Sequence, residues 1–322
     1  MRWTKRGKIF DPTQYELADN CIDYAQGPQA LPLEDRVRVY FSTRERDSTQ
    51  KFLSRVSYVE FDPSFSTVLR GADHSVIPLG ETGTFDEHGI FPIHVFKNGD
   101  ELWGYTTGWS RRVSVSVDTS IGLAISRDGG ETFCKVGNGG PLMSSSLHEP
   151  FLIADPFVLK IGADFHMWYI FGTQWQAPSS ADGQAERVYK IGHALSRDGV
   201  AWDRGGHAII TSKLHRDECQ ALPSVLYHEG RYHMVFCYRD VTGFRTRSDS
   251  SYRLGYAYSD DLHNWIRDDD TLGLDVSPDG WDSGMMCYPH LFAHDDKVWL
   301  LYNGNQFGRE GFGLAVLESW RA

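Results

Sequence analysis

Five prolines, Pro28, Pro92, Pro156, Pro223 and Pro289, recur at intervals of 64, 64, 67 and 66 residues, and each opens the same local pattern. An apolar stretch begins at the proline, a short turn follows, and an aromatic residue stands 12 or 13 positions on: Tyr40, Tyr105, Tyr169, Phe236 and Tyr302. Aromatic and β-branched residues dominate these second stretches (VRVYFSTRER, LWGYTTGW, HMWYIFGTQW, YHMVFCYRD, VWLLYNGN), as strands require. A third stretch follows as IGLAISRDGGETF, IGHALSRDGVAW, LGYAYSDDLHNW and FGLAVLESW, with SRVSYVEFDPSF as the divergent version in the first repeat. Gly, Asp and Asn after the Ser mark a tight turn. No segment sustains apolar residues at helical spacing for three turns, so the pattern predicts an all-β chain.

The two ends of the chain complete the pattern. Residues 202–210 (WDRGGHAII), beyond a third-strand turn, are matched by residues 3–10 (WTKRGKIF) at the N-terminus. The N-terminus therefore reads as a fourth strand lacking its first three, and the C-terminus as three strands lacking a fourth. Joined, they make one four-stranded unit, which is the ring closure of a five-bladed β-propeller with antiparallel blades. Residues 1–322 are read as a single propeller domain.

Composition narrows the partners. Of 322 residues, 32 are Lys or Arg and 43 Asp or Glu, a formal charge of −11, so a nucleic-acid partner is not expected. No apolar run approaches the roughly 20 residues that span a bilayer, and MRWTKRGKIF lacks the apolar core of a signal peptide. A cytoplasmic location without a membrane partner is the expectation. None of the five cysteines (Cys21, Cys134, Cys219, Cys237, Cys287) sits in a CxxC, which fits reduced thiols.

In an up-and-down blade the loop leading into the first strand and the loop between the second and third lie on one face. A carboxylate stands five to seven places before every anchoring proline: Asp23, Asp86 with Glu87, Glu149, Asp217 with Glu218, and Asp282. Innermost strands converge on the axis, so these acids are expected to ring the channel mouth, where crowding pushes carboxyl pKa values apart and suits general acid/base work. Asp86, Glu149, Glu218 and Asp282 are the expected catalytic set, with one carboxyl protonating a glycosidic oxygen and another activating water or attacking carbon. The same face receives Arg44, Arg46, Arg111, Arg112 and Arg239, whose guanidinium groups suit an anionic sugar or a sugar carrying phosphate. Residues expected to contact the ligand are Asp23, Gln26, Arg44, His88, Trp109, Asp155, Trp175, Arg239, Tyr288, Asn303 and Asn305.

With these residues placed, the chain resembles the clan of five-bladed propeller glycosidases that includes glycoside hydrolase families 43 and 32. The residues that carry the resemblance are SDDLHNW at 259–265, SRDGVAW at 196–202, Asp155-Pro156 opening a strand, and Glu218-Cys219. Those families place an Asp on blades one and two and a Glu on the third, near the start of the inner strand. Here Gln26-Gly27 and Ile90-Phe91 precede the first two prolines, and the Asp-Pro falls on blade three. The resemblance implies a divergent glycosidase acting on a small carbohydrate or sugar conjugate. The alternatives are a non-catalytic carbohydrate-binding propeller, and glycosyl transfer to phosphate or another acceptor on the same face. SRDGGETF at 126–133 also matches the Ser-x-Asp-x-Gly-x-Thr-aromatic box of sialidases, but lies on the opposite face and is expected to brace its turn.

No cofactor is expected. His148 and His215 each stand eight places before a proline, but no close His/Cys/Asp spacing marks a metal site, and no ligand is assigned. The resemblance leaves room for a channel-bound ion such as calcium.

Overall fold

The computed structural model describes residues 1–177 and 184–320, and its strands form five antiparallel blades, the first two joined by one parallel bridge between Ser54 and Gly89. Blade one comprises Asp23–Pro32, Val37–Arg46, Phe52–Phe61 and Val68–Gly71. Blade two comprises Gly89–Asn98, Glu101–Arg111, Val117–Ser126 and Cys134–Lys135. Blade three comprises Ile153–Ile161, Asp164–Gln176, Glu186–Ser196 and Asp203–Arg204. Blade four comprises Cys219–His228, Arg231–Arg239, Arg253–Ser259 and Ile266–Arg267. Blade five comprises Cys287–His294, Lys297–Asn303, Phe312–Ser319 and, outermost, Arg2–Phe10 from the N-terminus.

The ring closes as the repeat predicts. Arg2–Phe10 pairs antiparallel with Phe312–Ser319, from Arg2 opposite Ser319 to Phe10 opposite Phe312. The closing strand is well anchored, with the Phe10 ring 5.2 Å from Phe312 and 5.3 Å from Phe41, and the Trp3 indole N–H donating to the Leu272 carbonyl. In blades two, three and four the fourth strand shrinks to two residues. The long strand inferred over 202–210 is accordingly a two-residue pairing, Asp203–Arg204, followed by irregular chain.

The turns carrying the sialidase-like box are braced by their own side chains. Ser126 Oγ donates to Asp128 and accepts from the Gly130 N–H, and the Thr132 hydroxyl donates to Asp128. Ser196 with Asp198 and Ser259 with Asp261 repeat the arrangement. Among the described residues no helix is long and apolar enough to cross a membrane.

What positions the site is a bulge shared by all five inner strands. Pairing between first and second strands breaks register between Gln26 and Gln29, Ile90 and Ile93, Ala154 and Phe157, Ala221 and Ser224, and Cys287 and His290. Each break falls on an anchoring proline, because a residue without an N–H fits a buried strand only where the ladder is already interrupted. In four of the five blades the residue before the proline then takes left-handed backbone, at φ 60° for Gly27, 54° for Asp155, 42° for Leu222 and 56° for Tyr288. Such angles cost a non-glycine residue about 1–3 kcal/mol, and persist where the surroundings over-determine them. Gly27 is needed for a second reason, since a Cβ there would lie 3.1 Å from the Phe91 ring and 3.3 Å from Pro92 Cβ.

Candidate active site

The bulges turn Phe91, Asp155, Leu222 and Tyr288 into a cavity of about 380 Å³ at the axial end of the ring. Its other walls come from the ends of second strands and the starts of third strands, and include Arg44, Trp109, Arg187, Tyr189, Arg239 and Tyr252. This is the face that blade topology assigns to the site.

Asp155 is the one carboxylate among the described residues that line the cavity. It is 6% exposed, its N–H donates to Thr107 Oγ1 at 2.8 Å, and its Oδ2 accepts from the Leu222 N–H at 3.1 Å. Burial pushes its carboxyl up to about 7, opposed by that N–H and by the charge of Arg187. Near neutrality Asp155 is therefore partly protonated, and the protonated form can act as a donor.

Three guanidinium groups line the same cavity without carboxylate partners: among the described residues no Asp or Glu lies within 4.0 Å of Arg44, Arg187 or Arg239. Arg239 is 2% exposed and lies over the Phe244 ring at 3.5 Å, with its Nε–H donating to the Tyr189 hydroxyl at 3.2 Å. Arg44 is held by Ser54 and lies over Tyr24 and Phe91. Desolvation lowers its pKa, outweighing the opposing influence of Tyr288, Tyr24 and Asp23. The Tyr189 and Tyr252 hydroxyls are 2.7 Å apart. Since Arg239 already donates to Tyr189, the two hydroxyl protons serve one mutual bond and leave one donor for a ligand. Buried Gln26 adds an acceptor, as its Nε2 donates to the Phe307 carbonyl while its Oε1 has no partner.

The four expected catalytic acids lie elsewhere. Asp86, Glu149, Glu218 and Asp282 are all at most 2% exposed, but none lines the cavity. Each pairs with a cation on the fourth strand of the blade it leads into: Lys135 at 2.5 Å, Arg204 at 2.9 Å, Arg267 at 2.6 Å and Lys5 at 2.7 Å, respectively. Tyr169 donates to Glu149 and Tyr302 to Asp282, while Glu218 also accepts from the Lys213 and Leu214 N–H groups and from Gln220. These carboxylates clamp the incoming segment to the outer strand, so the expectation that they crowd the channel mouth is corrected. Proximity to a proline in sequence does not say which way the loop curls.

Of the expected ligand contacts, Gln26, Arg44, Trp109, Asp155, Arg239 and Tyr288 line the cavity and the others do not. Asp23 pairs with Arg309, and His88 stacks on Trp109. Trp175 lines a separate depression beside Arg112. Asn303 is a structural clamp, accepting from the Gly27 N–H and donating to the Ala25 and Gly311 carbonyls. Asn305 likewise accepts from Gly284 and Met285 and donates to the Gly280 carbonyl. Arg111 and Arg112 pair with Asp47 and Asp118.

Sequence reasoning missed Arg187, Tyr189, Tyr252 and Thr119, all at the starts of third strands. A signal exists: Thr119, Tyr189 and Tyr252 each stand three places before the repeat glycine, Gly122, Gly192 or Gly255. Inspecting only the residues after the second strand passes over the third strand that enters from the same face.

No family model matches the chain. It is 31% identical over 330 aligned positions, covering 99% of its own length and 100% of the relative's, to the uncharacterized protein MT1551 of Mycobacterium tuberculosis (strain CDC 1551 / Oshkosh). The uncharacterized protein Rv1502 of strain ATCC 25618 / H37Rv matches equally. Among solved structures, one described as a glycoside hydrolase superposes with a TM-score of 0.73 at 17% identity, covering 99% of this protein and 92% of that one. A GH130 structure, from a family described as mannoside phosphorylases containing hydrolases that target β-1,2 mannosidic linkages, gives 0.69 at 13%, covering 98% and 93%. A thermostable family-43 glycoside hydrolase gives 0.63 at 14%, covering 94% and 91%. Identities this low establish the fold, that of the five-bladed propeller glycosidases and phosphorylases.

Proposed function

This chain belongs to the family of the Mycobacterium tuberculosis proteins MT1551 and Rv1502, and we propose that it cleaves a glycosidic bond with inorganic phosphate as the acceptor. The observation that carries this reading is the pairing of one proton-holding carboxyl, Asp155, with three guanidiniums that lack carboxylate partners in one cavity. Hydrolysis by two carboxylates needs a second acid to activate water or attack carbon. Phosphorolysis needs one proton donor and a clamp for an oxyanion, which Arg44, Arg187 and Arg239 supply with their planar donor forks.

In this reaction a phosphate oxygen attacks the anomeric carbon as its bond to the leaving oxygen breaks. Asp155 gives its proton to that oxygen, and the hydrogen of HPO₄²⁻ returns to Asp155, so a glycoside and phosphate become a glycosyl phosphate and an alcohol. The aromatic faces of Trp109, Tyr288 and Tyr252 provide stacking surfaces for the sugar ring. We place the reaction in the cytoplasm, a setting compatible with five free cysteines.

The test is product analysis on a panel of glycosides with and without inorganic phosphate. A glycosyl phosphate, seen by ³¹P NMR and formed only with phosphate present, is the expected product. Free reducing sugar released at the same rate without phosphate would assign the arginines to an anionic group of the substrate and the reaction to hydrolysis.

A further inference from the structure

Outside the axial cavity, and sharing its walls Phe52 and Trp109, runs a second groove over blades one and two. Four cations line it: Arg46, Lys51, Arg111 and Arg112. Among the described residues no carboxylate does. Arg111 is fixed by Asp47 at 2.8 Å and by the Phe52 carbonyl at 2.8 Å, and Arg112 is paired with Asp118. Arg46 and Lys51 have no carboxylate within 4.0 Å among the described residues, so four cations meet two acids. The Arg46 guanidinium lies 4.4 Å over the Phe52 ring, with Nη1 donating to the Gln50 carbonyl at 2.8 Å. On a chain of formal charge −11, an uncompensated local excess of positive charge is held against the overall field.

We propose that this groove is a subsite for a second anionic group, carried on the part of the substrate next to the scissile bond, so that the substrate class is an acidic oligosaccharide rather than a neutral one. The inference rests on the proposed reading of the axial cavity for what occupies the adjoining position. Phe52 and Trp109 belong to both spaces, so a sugar stacked on either leads its neighbour out along the cations. Arg46 then meets a carboxylate, sulfate or phosphate on that neighbour with a pre-oriented fork, and Lys51 adds a mobile point charge.

The test measures binding of three probes to the full chain and to the Arg46→Gln/Lys51→Gln double variant: a heparin-derived tetrasaccharide, neutral maltotetraose and inorganic phosphate. Both residues are exposed, so the double variant should keep the native melting temperature. The native chain should bind the acidic tetrasaccharide at least about tenfold more tightly than the neutral one, with affinity falling as salt rises. The double variant should lose most of that preference and keep its phosphate affinity. Equal affinity for the two tetrasaccharides, or the same preference in the double variant, overturns the subsite. Acidic-tetrasaccharide binding that depends on Arg46 and Lys51, in a chain that does not bind phosphate, would keep the groove and reject the axial reading.

Discussion

Asp155→Asn is expected to lower turnover by about a thousandfold, because it removes the proton given to the leaving oxygen while keeping the side chain's size and an acceptor for the Leu222 N–H. Glu149→Gln should do the reverse. It leaves Arg204 and Tyr169 without a charged partner, at a cost of about 2–4 kcal/mol for a largely buried pair, but it stands outside the cavity and should leave turnover intact at a temperature where the variant stays folded. Rate and melting temperature measured on both variants separate the two kinds of carboxylate. Full turnover in Asp155→Asn, or a thousandfold loss in folded Glu149→Gln, would return the catalytic role to the loop acids.

The same group has a pH signature. Its folded pKa, about 7, lies above the ordinary 3.8, so the fold favours the protonated form. The stabilisation is fully present below about pH 3.8 and is lost as pH rises through 7. Native stability should therefore carry a decline over that window that Asp155→Asn lacks, and turnover by the native chain should fall above about pH 7.

Deleting residues 2–10 should lower the melting temperature by more than about 10 °C. The deletion bares the edge of Phe312–Ser319, removes Phe10 from its three-ring cluster with Phe41 and Phe312, and takes the Lys5 charge away from buried Asp282. A melting curve like that of the full chain would mean that the closing strand contributes little to the ring.

The propeller was legible because repetition is a property of order along the chain: five prolines at near-constant spacing, and two incomplete ends that complement each other, need no knowledge of side-chain direction. The site was legible only in part. Gln26, Arg44, Trp109, Asp155, Arg239 and Tyr288 were reachable by asking which strand ends share a face. Two physical facts decided the rest. The bulge at each proline redirects the preceding residue, so Asp155 enters the cavity from a position that alternation alone would not favour. The cations that capture Asp86, Glu149, Glu218 and Asp282 lie on fourth strands of which three are only two residues long, too short to register as strands in a sequence. Counting carboxylates upstream of prolines finds a repeated feature, and here repetition reflects a structural clamp needed in four of the blades. The residue proposed to act as the acid is the one that breaks the repeat, since Gly27, Phe91, Leu222 and Tyr288 occupy the positions equivalent to Asp155.

Titration of the full chain with inorganic phosphate near pH 6.5, followed by isothermal calorimetry, tests most directly whether the axial arginines form an oxyanion clamp beside a protonated acid. The expected result is a single site of submillimolar affinity that weakens at least about tenfold, or about 1.4 kcal/mol, in Arg187→Gln. It should also weaken as pH rises past 7 and Asp155 becomes charged. No binding, or binding that Arg187→Gln leaves unchanged, would contradict it.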